Sequence, residues 1–256
     1  MSRASYAGFA ALVLLVPLQA RADFHVVSPL EIDLGEIEIE HNGSDSVDPN
    51  FGGQQSYTLE LGTGLTSWWH SEIELGFDND PGTQPTLLTQ VVTENTFQLT
   101  EPGERFADLG FYVEYGQSTT HGSFASSNEL TFGPVISKDI GRTTHTVNLF
   151  LEKQLGPDQT SRGLDFTYAW QSRWNVWAPL SPAIEFYGDT GTLGSIPGFS
   201  QQQLIVGPVA VGALKLHDLG LGNAGQLKYE IGWLFGATPS SPAGTLRWRL
   251  ELEIPF

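Results

Sequence analysis

The chain lacks cysteine and is poor in basic side chains. Its 256 residues include no Cys, and 12 Lys and Arg stand against 29 Asp and Glu, giving a formal net charge of −17 at pH 7. Without thiols, a disulfide framework and a lipid-modified cysteine are both excluded. Nucleic acids are bound through clustered basic side chains, so this charge balance also argues against a nucleic-acid partner.

Long apolar runs are missing except at the N-terminus. Met1-Ser-Arg3 gives a short positive start, residues 6–18 are mostly apolar, and Ala20-Arg-Ala22 has small-x-small spacing. Together they predict a secretory signal peptide over residues 1–22. Arg21 within the cleavage site leaves an uncleaved anchor as the alternative. Later apolar runs are far shorter than the ~20 residues of a spanning helix. Residues 23–256 show no linker, so we expect one domain.

What the sequence has instead is alternation. Segments of about ten residues alternate apolar and polar side chains and are separated by Gly, Pro, Asn, Asp and Ser, which predicts strands and turns. In the last segment the residues from Leu246 to Phe256 place apolar side chains on one face and charged ones on the other. One face suits lipid and the other a wet lumen. The segment resembles the C-terminal strand by which the barrel-assembly machinery recognises Gram-negative outer-membrane β-barrels, through the terminal Phe256. The alternative is the edge strand of a secreted β-sandwich.

Strand parity sharpens this prediction. Eleven such segments are evident, but a barrel with both termini in the periplasm needs an even number. Inner turns and outer loops can be assigned by counting from either end of the chain. The two assignments agree only if a weakly patterned strand runs through residues 87–97. We therefore predict an all-β, transmembrane, antiparallel up-and-down barrel of about 12 strands, with both termini periplasmic. The expected outer loops are 41–54, 78–82, 117–126, 156–162, 189–202 and 236–243, and the expected inner turns are 64–67, 100–103, 139–142 and 178–182.

Tryptophans lie beside several of these turns and loops, as expected of residues at a membrane interface. The residues concerned are Trp68, Trp69, Trp174, Trp177, Trp233 and Trp248. An aromatic sandwich core would explain their burial but not this clustering near turns.

The polar partners in the alternation are predicted to face the lumen and to line a pore. They are Glu72, Glu74, Glu114, Asn148, Glu152, Asp165, Glu185, Lys228, Glu230, Arg247 and Arg249, together with His70, Tyr112 and Tyr187. Acidic side chains outnumber basic ones, so an open path should prefer cations or neutral solutes to anions. At the seam, where the first and last strands meet to close the barrel, the glutamates at 36, 38 and 40 should face Arg247 and Arg249. In the alternative, Gly35 is a bulge and these glutamates are solvated.

The middle of the chain resembles a known family. The segments Glu94-Asn-Thr-Phe97, Glu101-Pro-Gly103 and Asp108-Leu-Gly-Phe-Tyr-Val-Glu-Tyr115 are similar to the outer-membrane transporters grouped with the phenol meta-degradation pathway, the MetA-like family. The resemblance implies a barrel with a hydrophobic or aromatic cargo, and it implies no binding residues.

Passive transport is therefore the expected function, with a closed structural surface protein and a barrel lipid hydrolase as alternatives. His121-Gly-Ser123 has the H-x-S spacing of such hydrolases, but only Asn128 offers a third partner, so no catalytic residue is predicted. The histidines are scattered without metal-ligand spacing, so no metal or cofactor is predicted. The expected partners are outer-membrane lipid, lipopolysaccharide, the assembly machinery and a small-molecule cargo.

Overall fold

The alternating segments form twelve antiparallel strands that close into one barrel. The computed structural model describes residues 25–47, 55–79, 87–119, 128–157, 159, 161–222 and 224–256, so the predicted signal peptide and His121-Gly-Ser123 lie outside the described residues. The strands are β1 (Glu36–Ser46), β2 (Gln55–Thr66), β3 (Trp69–Asn79), β4 (Leu87–Gln98), β5 (Asp108–Ser118), β6 (Asn128–Ile140), β7 (Thr143–Leu155), β8 (Asp165–Trp174), β9 (Ser181–Thr192), β10 (Gln203–Lys215), β11 (Gln226–Gly236) and β12 (Gly244–Pro255).

Each strand pairs with its neighbours in sequence, and β12 closes on β1. The predicted all-β, antiparallel barrel of twelve strands is therefore confirmed, including the weakly patterned β4. In the described part of the chain, no helix is long and apolar enough to span a bilayer. Because β1 begins and β12 ends at the same end of the barrel, we call that end the N/C end and the other the loop end.

The apolar and polar faces lie opposite to their arrangement in a soluble protein. On β12, Leu250 and Ile254 are 43% and 40% exposed, whereas Arg247 and Glu253 are 1% exposed. Apolar side chains thus cover the outside and charged ones the inside. This arrangement suits a barrel surrounded by lipid.

The first strand is longer than its apolar pattern predicts. The loop expected from residue 41 is wrong at its start, because β1 continues to Ser46. His41 stays on the outer face, where its ring stacks on Tyr57 with centroids 6.2 Å apart and lies 6.3 Å from that of Trp248. The apolar alternation stops at residue 39, but aromatic packing continues the strand to the loop end.

Gly35 turns the chain into β1. Its φ of +87° is a left-handed conformation that favours glycine, and its carbonyl accepts a 2.9 Å hydrogen bond from the Phe256 amide. Glu38 and Glu40 beyond it are buried inside the barrel. The alternative in which the glutamates are solvated is therefore wrong for Glu38 and Glu40, whereas Glu36 is only partly buried.

Two Gly-Pro pairs, at Gly133 of β6 and Gly207 of β10, interrupt the residue pairing of these strands with β7 and β11, respectively. A Cβ on Gly207 would lie 1.9 Å from the carbonyl oxygen of Trp233, and one on Gly133 would lie 1.9 Å from that of Leu149. The prolines that follow have no amide hydrogen to donate. Only glycine allows the neighbouring backbone to come this close.

Candidate functional site: the lumen

The residues predicted to line a pore lie on the inner face of their strands. Eight of them are buried: His70, Glu74, Tyr112, Glu114, Asn148, Glu185, Tyr187 and Arg247. Glu152 and Asp165 oppose each other on β7 and β8. Their role in conduction stays a prediction, since position alone does not establish it.

Arg247 is the centre of a buried network. Its Nε donates to Glu185 Oε2 at 2.8 Å and its Nη2 to Glu185 Oε1 at 2.6 Å, while Nη2 also contacts Glu230. Gln171 Nε2 donates to Glu185 Oε1 at 2.7 Å, and the Tyr187 hydroxyl to Glu185 Oε2 at 2.7 Å. The network links β12 to β8, β9 and β11.

The seam is only partly as expected. Arg249 faces the glutamates of β1, with its Nε donating to Glu40 Oε2 at 2.8 Å. Arg247 instead reaches Glu185 on β9, across the lumen. Lys228 completes the basic side by contacting Glu253 and Glu251, the latter at 3.3 Å.

Beside these cations, the wall formed by β1 to β5 is acidic, and Arg249 contacts it at Glu40. Register places Glu40, Glu60 and Glu74 side by side on β1, β2 and β3. A second row follows on β3, β4 and β5 and comprises Glu72, Glu94 and Glu114. Like charges directly opposite each other on neighbouring strands are destabilising. The acidic wall therefore favours cations in the space that it faces.

The segment 25–34, which precedes β1, lies inside the barrel. Leu34 forms a parallel bridge with Gly64 near the N/C end. Farther in, the Ser28 amide donates to Asn148 Oδ1 at 2.9 Å and Asn148 Nδ2 donates to the Ser28 carbonyl at 3.0 Å. Its inner end is held by Tyr187, whose hydroxyl donates to the His25 carbonyl at 3.0 Å. We call residues 25–34 the plug segment.

Charge and apolar packing also hold the plug segment. Glu31 Oε2 accepts a hydrogen bond from Lys228 Nζ at 2.7 Å. Val27 packs in the cluster of inward-facing side chains that Ala169, Tyr187, Ile205, Val209, Val211 and Leu234 form. Burial, followed by the nearby Arg247 guanidinium, lowers the pKa of His25 to about 4. His25, which lies on the plug segment and on no strand, is therefore neutral at pH 7.

The plug segment divides the lumen into two cavities. The loop-end cavity has a volume of about 120 Å³, and its wall includes the acidic residues Glu38, Glu60, Glu72 and Glu94. The N/C-end cavity has a volume of about 440 Å³ and is lined by Gln171, Arg173, Lys228 and Glu230, among others. Residues of the plug segment line both cavities.

Potential metal ligands that the spacing of the histidines in sequence did not indicate come together in the loop-end cavity. Glu38, His70 and Glu72 have potential ligand atoms within 4.8 Å of one another, as do Glu60, Glu74 and Glu94. The i, i+2 spacing of His70 and Glu72 was a usable signal, because it places both on one face of β3. Their proximity to Glu38 depends on register and could not be foreseen.

Comparisons with known proteins find distant similarity to several solved barrels. No protein-family model and no curated protein matches the chain. Among solved structures, Pseudomonas aeruginosa OprD is similar at 8% identity and a TM-score of 0.38, over 86% of this chain and 66% of that one. A bacterial polysaccharide outer membrane secretin is similar at 9% identity and a TM-score of 0.40, over 88% of this chain and 99% of that one.

A further similar structure is that of Pseudomonas aeruginosa OccK11 (OpdR), at 10% identity and a TM-score of 0.35, over 87% of this chain and 67% of that one. A crystal structure of an OccD1 (OprD) variant is matched over 65% of its length, so the chain spans about two thirds of these barrels. Similarities this distant carry no information about cargo. The resemblance to the MetA-like family is not shown by them and stays a prediction.

Proposed function

We propose that this chain is an outer-membrane barrel that lets small cationic or neutral solutes cross passively, through a lumen that the plug segment narrows. The observation that carries the proposal is the pair of cavities on the two sides of that segment, one of them walled by glutamates. An interior of polar and charged side chains, enclosed by an apolar exterior, is typical of membrane barrels that hold water.

Selectivity follows from the arrangement of charge. The two rows of glutamates on β1 to β5 place carboxyl groups along one wall, and rings of acidic side chains favour cations in pores. Arg247, Arg249 and Lys228 lie on β12 and β11, and each is engaged by carboxylates, Arg249 by Glu40 of the wall itself. Anions therefore meet few uncompensated positive charges. Cations meet a wall in which carboxylates oppose carboxylates.

The composition of the cavity also bears on the cargo. Tyr112 and Phe150 stack with centroids 4.7 Å apart and line the loop-end cavity. Around this aromatic pair, carboxylates dominate the wall. This favours charged or polar solutes over the apolar cargo that the family resemblance implies.

Conductance of the refolded chain in planar bilayers tests the proposal. Under a KCl gradient, the reversal potential should show preference for K⁺ over Cl⁻. Deletion of residues 25–34 should raise the conductance, because it joins the two cavities. Glu94→Gln with Glu114→Gln should reduce the cation preference, whereas Glu104→Gln, on an exposed turn, should leave it unchanged. Anion preference, or equal selectivity in all these variants, would contradict the proposal.

A closed structural barrel is the second candidate, and the anchoring of the plug segment favours it. If neither the intact chain nor the deletion variant conducts, while both show the gel mobility shift on heating that is typical of folded barrels, this second function stands. If the protein instead remains in the soluble periplasm, both proposals are wrong.

A further inference from the structure

One ring nitrogen among the lumen carboxylates has no hydrogen-bond partner. His70 is 7% exposed, and its Nε2 lies 3.0 Å from Glu72 Oε1. Its Nδ1 is buried, makes no hydrogen bond and lies 3.6 Å from Glu38 Oε1. Buried polar atoms without a partner are rare in folded proteins and point to a bound water, an ion or a functional role.

The hydrogen bond to Glu72 decides what Nδ1 offers. A neutral imidazole that donates through Nε2 keeps a lone pair on Nδ1. In this neutral state the lone pair faces the carboxylate of Glu38, so two acceptors would oppose each other inside the barrel. A cation between them would satisfy both.

The separation of these two acceptors fits a shared metal ion. At 3.6 Å, Nδ1 and Oε1 are too far apart for a hydrogen bond. Two ligands that each lie about 2.1 Å from a tetrahedral zinc ion are about 3.4 Å apart. The pair is thus spaced as neighbouring ligands are.

The donor set indicates the class of metal. Imidazole suits zinc and its transition-metal neighbours, whereas magnesium and calcium prefer oxygen alone. Glu38 and Glu72 together balance the charge of a dication. Glu72 also matches the carboxylates that commonly hold a metal-bound histidine through its second nitrogen.

The backbone leaves room for this group. Gly62 lies between Glu38 and Glu72 in the cross-strand register. A Cβ at Gly62 would lie 2.6 Å from Glu72 Cγ and 2.8 Å from His70 Nε2. Glycine at this position allows the histidine and the glutamate to approach across β2, and both side chains line the loop-end cavity.

We propose that His70 and Glu38 bind one divalent transition-metal ion of the zinc class in the lumen, with Glu72 orienting His70 through Nε2. The site is reached from the loop-end cavity. The inference goes beyond the proposed passage of solutes, because the metal would bind whether or not the lumen conducts.

The site is tested by calorimetric titration of the refolded, metal-free full chain with Zn²⁺ in detergent. We expect one site per chain and weaker binding of Mg²⁺. His70→Gln and Glu38→Gln should each weaken Zn²⁺ binding at least tenfold, and Glu72→Gln by about 10- to 100-fold. His217→Gln is the matched control, because this exposed turn histidine should contribute nothing. Equal affinity in the wild type and in His70→Gln would overturn the proposal.

Folding of each variant is checked by its mobility shift on heating. Should the lumen variants fail to fold, X-ray absorption at the zinc edge of the wild-type complex decides instead. A shell containing one imidazole supports the site, whereas an all-oxygen shell, or no bound zinc, overturns it. Neither measurement requires ion flow, so a barrel that binds zinc without conducting refutes only the transport proposal.

Discussion

Replacement of Arg247 by methionine should destabilise the barrel by about 3 to 5 kcal/mol, the usual loss when one member of a buried ion pair is removed. Arg247 is almost fully buried and binds both carboxylate oxygens of Glu185, itself fully buried. Methionine keeps most of the apolar volume but leaves two carboxylates without their cation. The penalty therefore comes from stranded charge and not from an empty space.

The structure predicts that this penalty is largely removed by neutralising the partner. In Arg247→Met with Glu185→Gln, the amide still accepts a hydrogen bond from Tyr187, and Glu230 is the only carboxylate of the network that loses its cation. The double variant should therefore be more stable than the sum of the two single losses by about 1 to 3 kcal/mol.

The differences in free energy of unfolding are measured by urea unfolding of the refolded chain in lipid, with tryptophan fluorescence as the signal. Arg173→Met is the matched control, because among the described residues the Arg173 side chain donates to Asn175 alone, at the N/C end and at 3.0 Å. Arg173→Met should lower the free energy of unfolding by less than about 1 kcal/mol. The network does not stabilise the barrel as argued if Arg247→Met lowers the free energy of unfolding no more than this control does. The same holds if the decreases caused by the two single substitutions simply add in the double variant.

Three further predictions concern the plug segment and the ladder. Asn148→Leu removes both hydrogen bonds to Ser28, so the free energy of unfolding in urea should fall by about 1 to 3 kcal/mol. The conductance should also rise. An unchanged conductance would contradict the role of Asn148 in anchoring the plug segment. The lowered pKa of His25 means that its contribution to stability is complete above its unfolded pKa of about 6.5 and is lost as the pH falls toward about 4. Protease cleavage within residues 25–34 should therefore increase at pH 5 relative to pH 7.5, and His25→Asn should lose this pH dependence. Gly207→Ala should prevent closure of β10 on β11, because the Trp233 carbonyl occupies the position of its Cβ, whereas Gly198→Ala, whose nearest neighbour is 3.9 Å away, should fold normally by the mobility shift on heating.

The strands could be predicted because each one carries its own signal. Alternation between faces is a local property, and parity supplied β4, in which polar Thr93 faces outward and Val92 inward. Aromatic packing continued β1 beyond its apolar pattern, and only the structure shows that His41 has Tyr57 and Trp248 as neighbours.

The plug segment could not be predicted, because its contacts are remote in sequence. Ser28 and Asn148 are 120 residues apart, and His25 and Tyr187 are 162 apart. Residues 25–34 show no alternation that would mark them as part of the barrel. For the same reason, the face of Arg247 could be predicted but not its partner, since reaching Glu185 instead of β1 depends on the width and filling of the lumen.

The energetics of the lumen separate its two walls. Buried ion pairs are often no more stabilising than apolar side chains of similar size, so the network of Arg247 is not needed for a stable interior. The rows of glutamates are less favourable still, because Glu60 opposes a glutamate on each neighbouring strand and Glu94 does the same in the second row. A barrel with a purely structural role would gain stability by replacing one glutamate in each row with a neutral residue. The acidic wall is accounted for if cations occupy the space beside it, either passing along it or held at His70. Raised stability of Glu60→Gln in metal-free buffer, together with weakened cation preference, would show that this wall lowers stability in exchange for function.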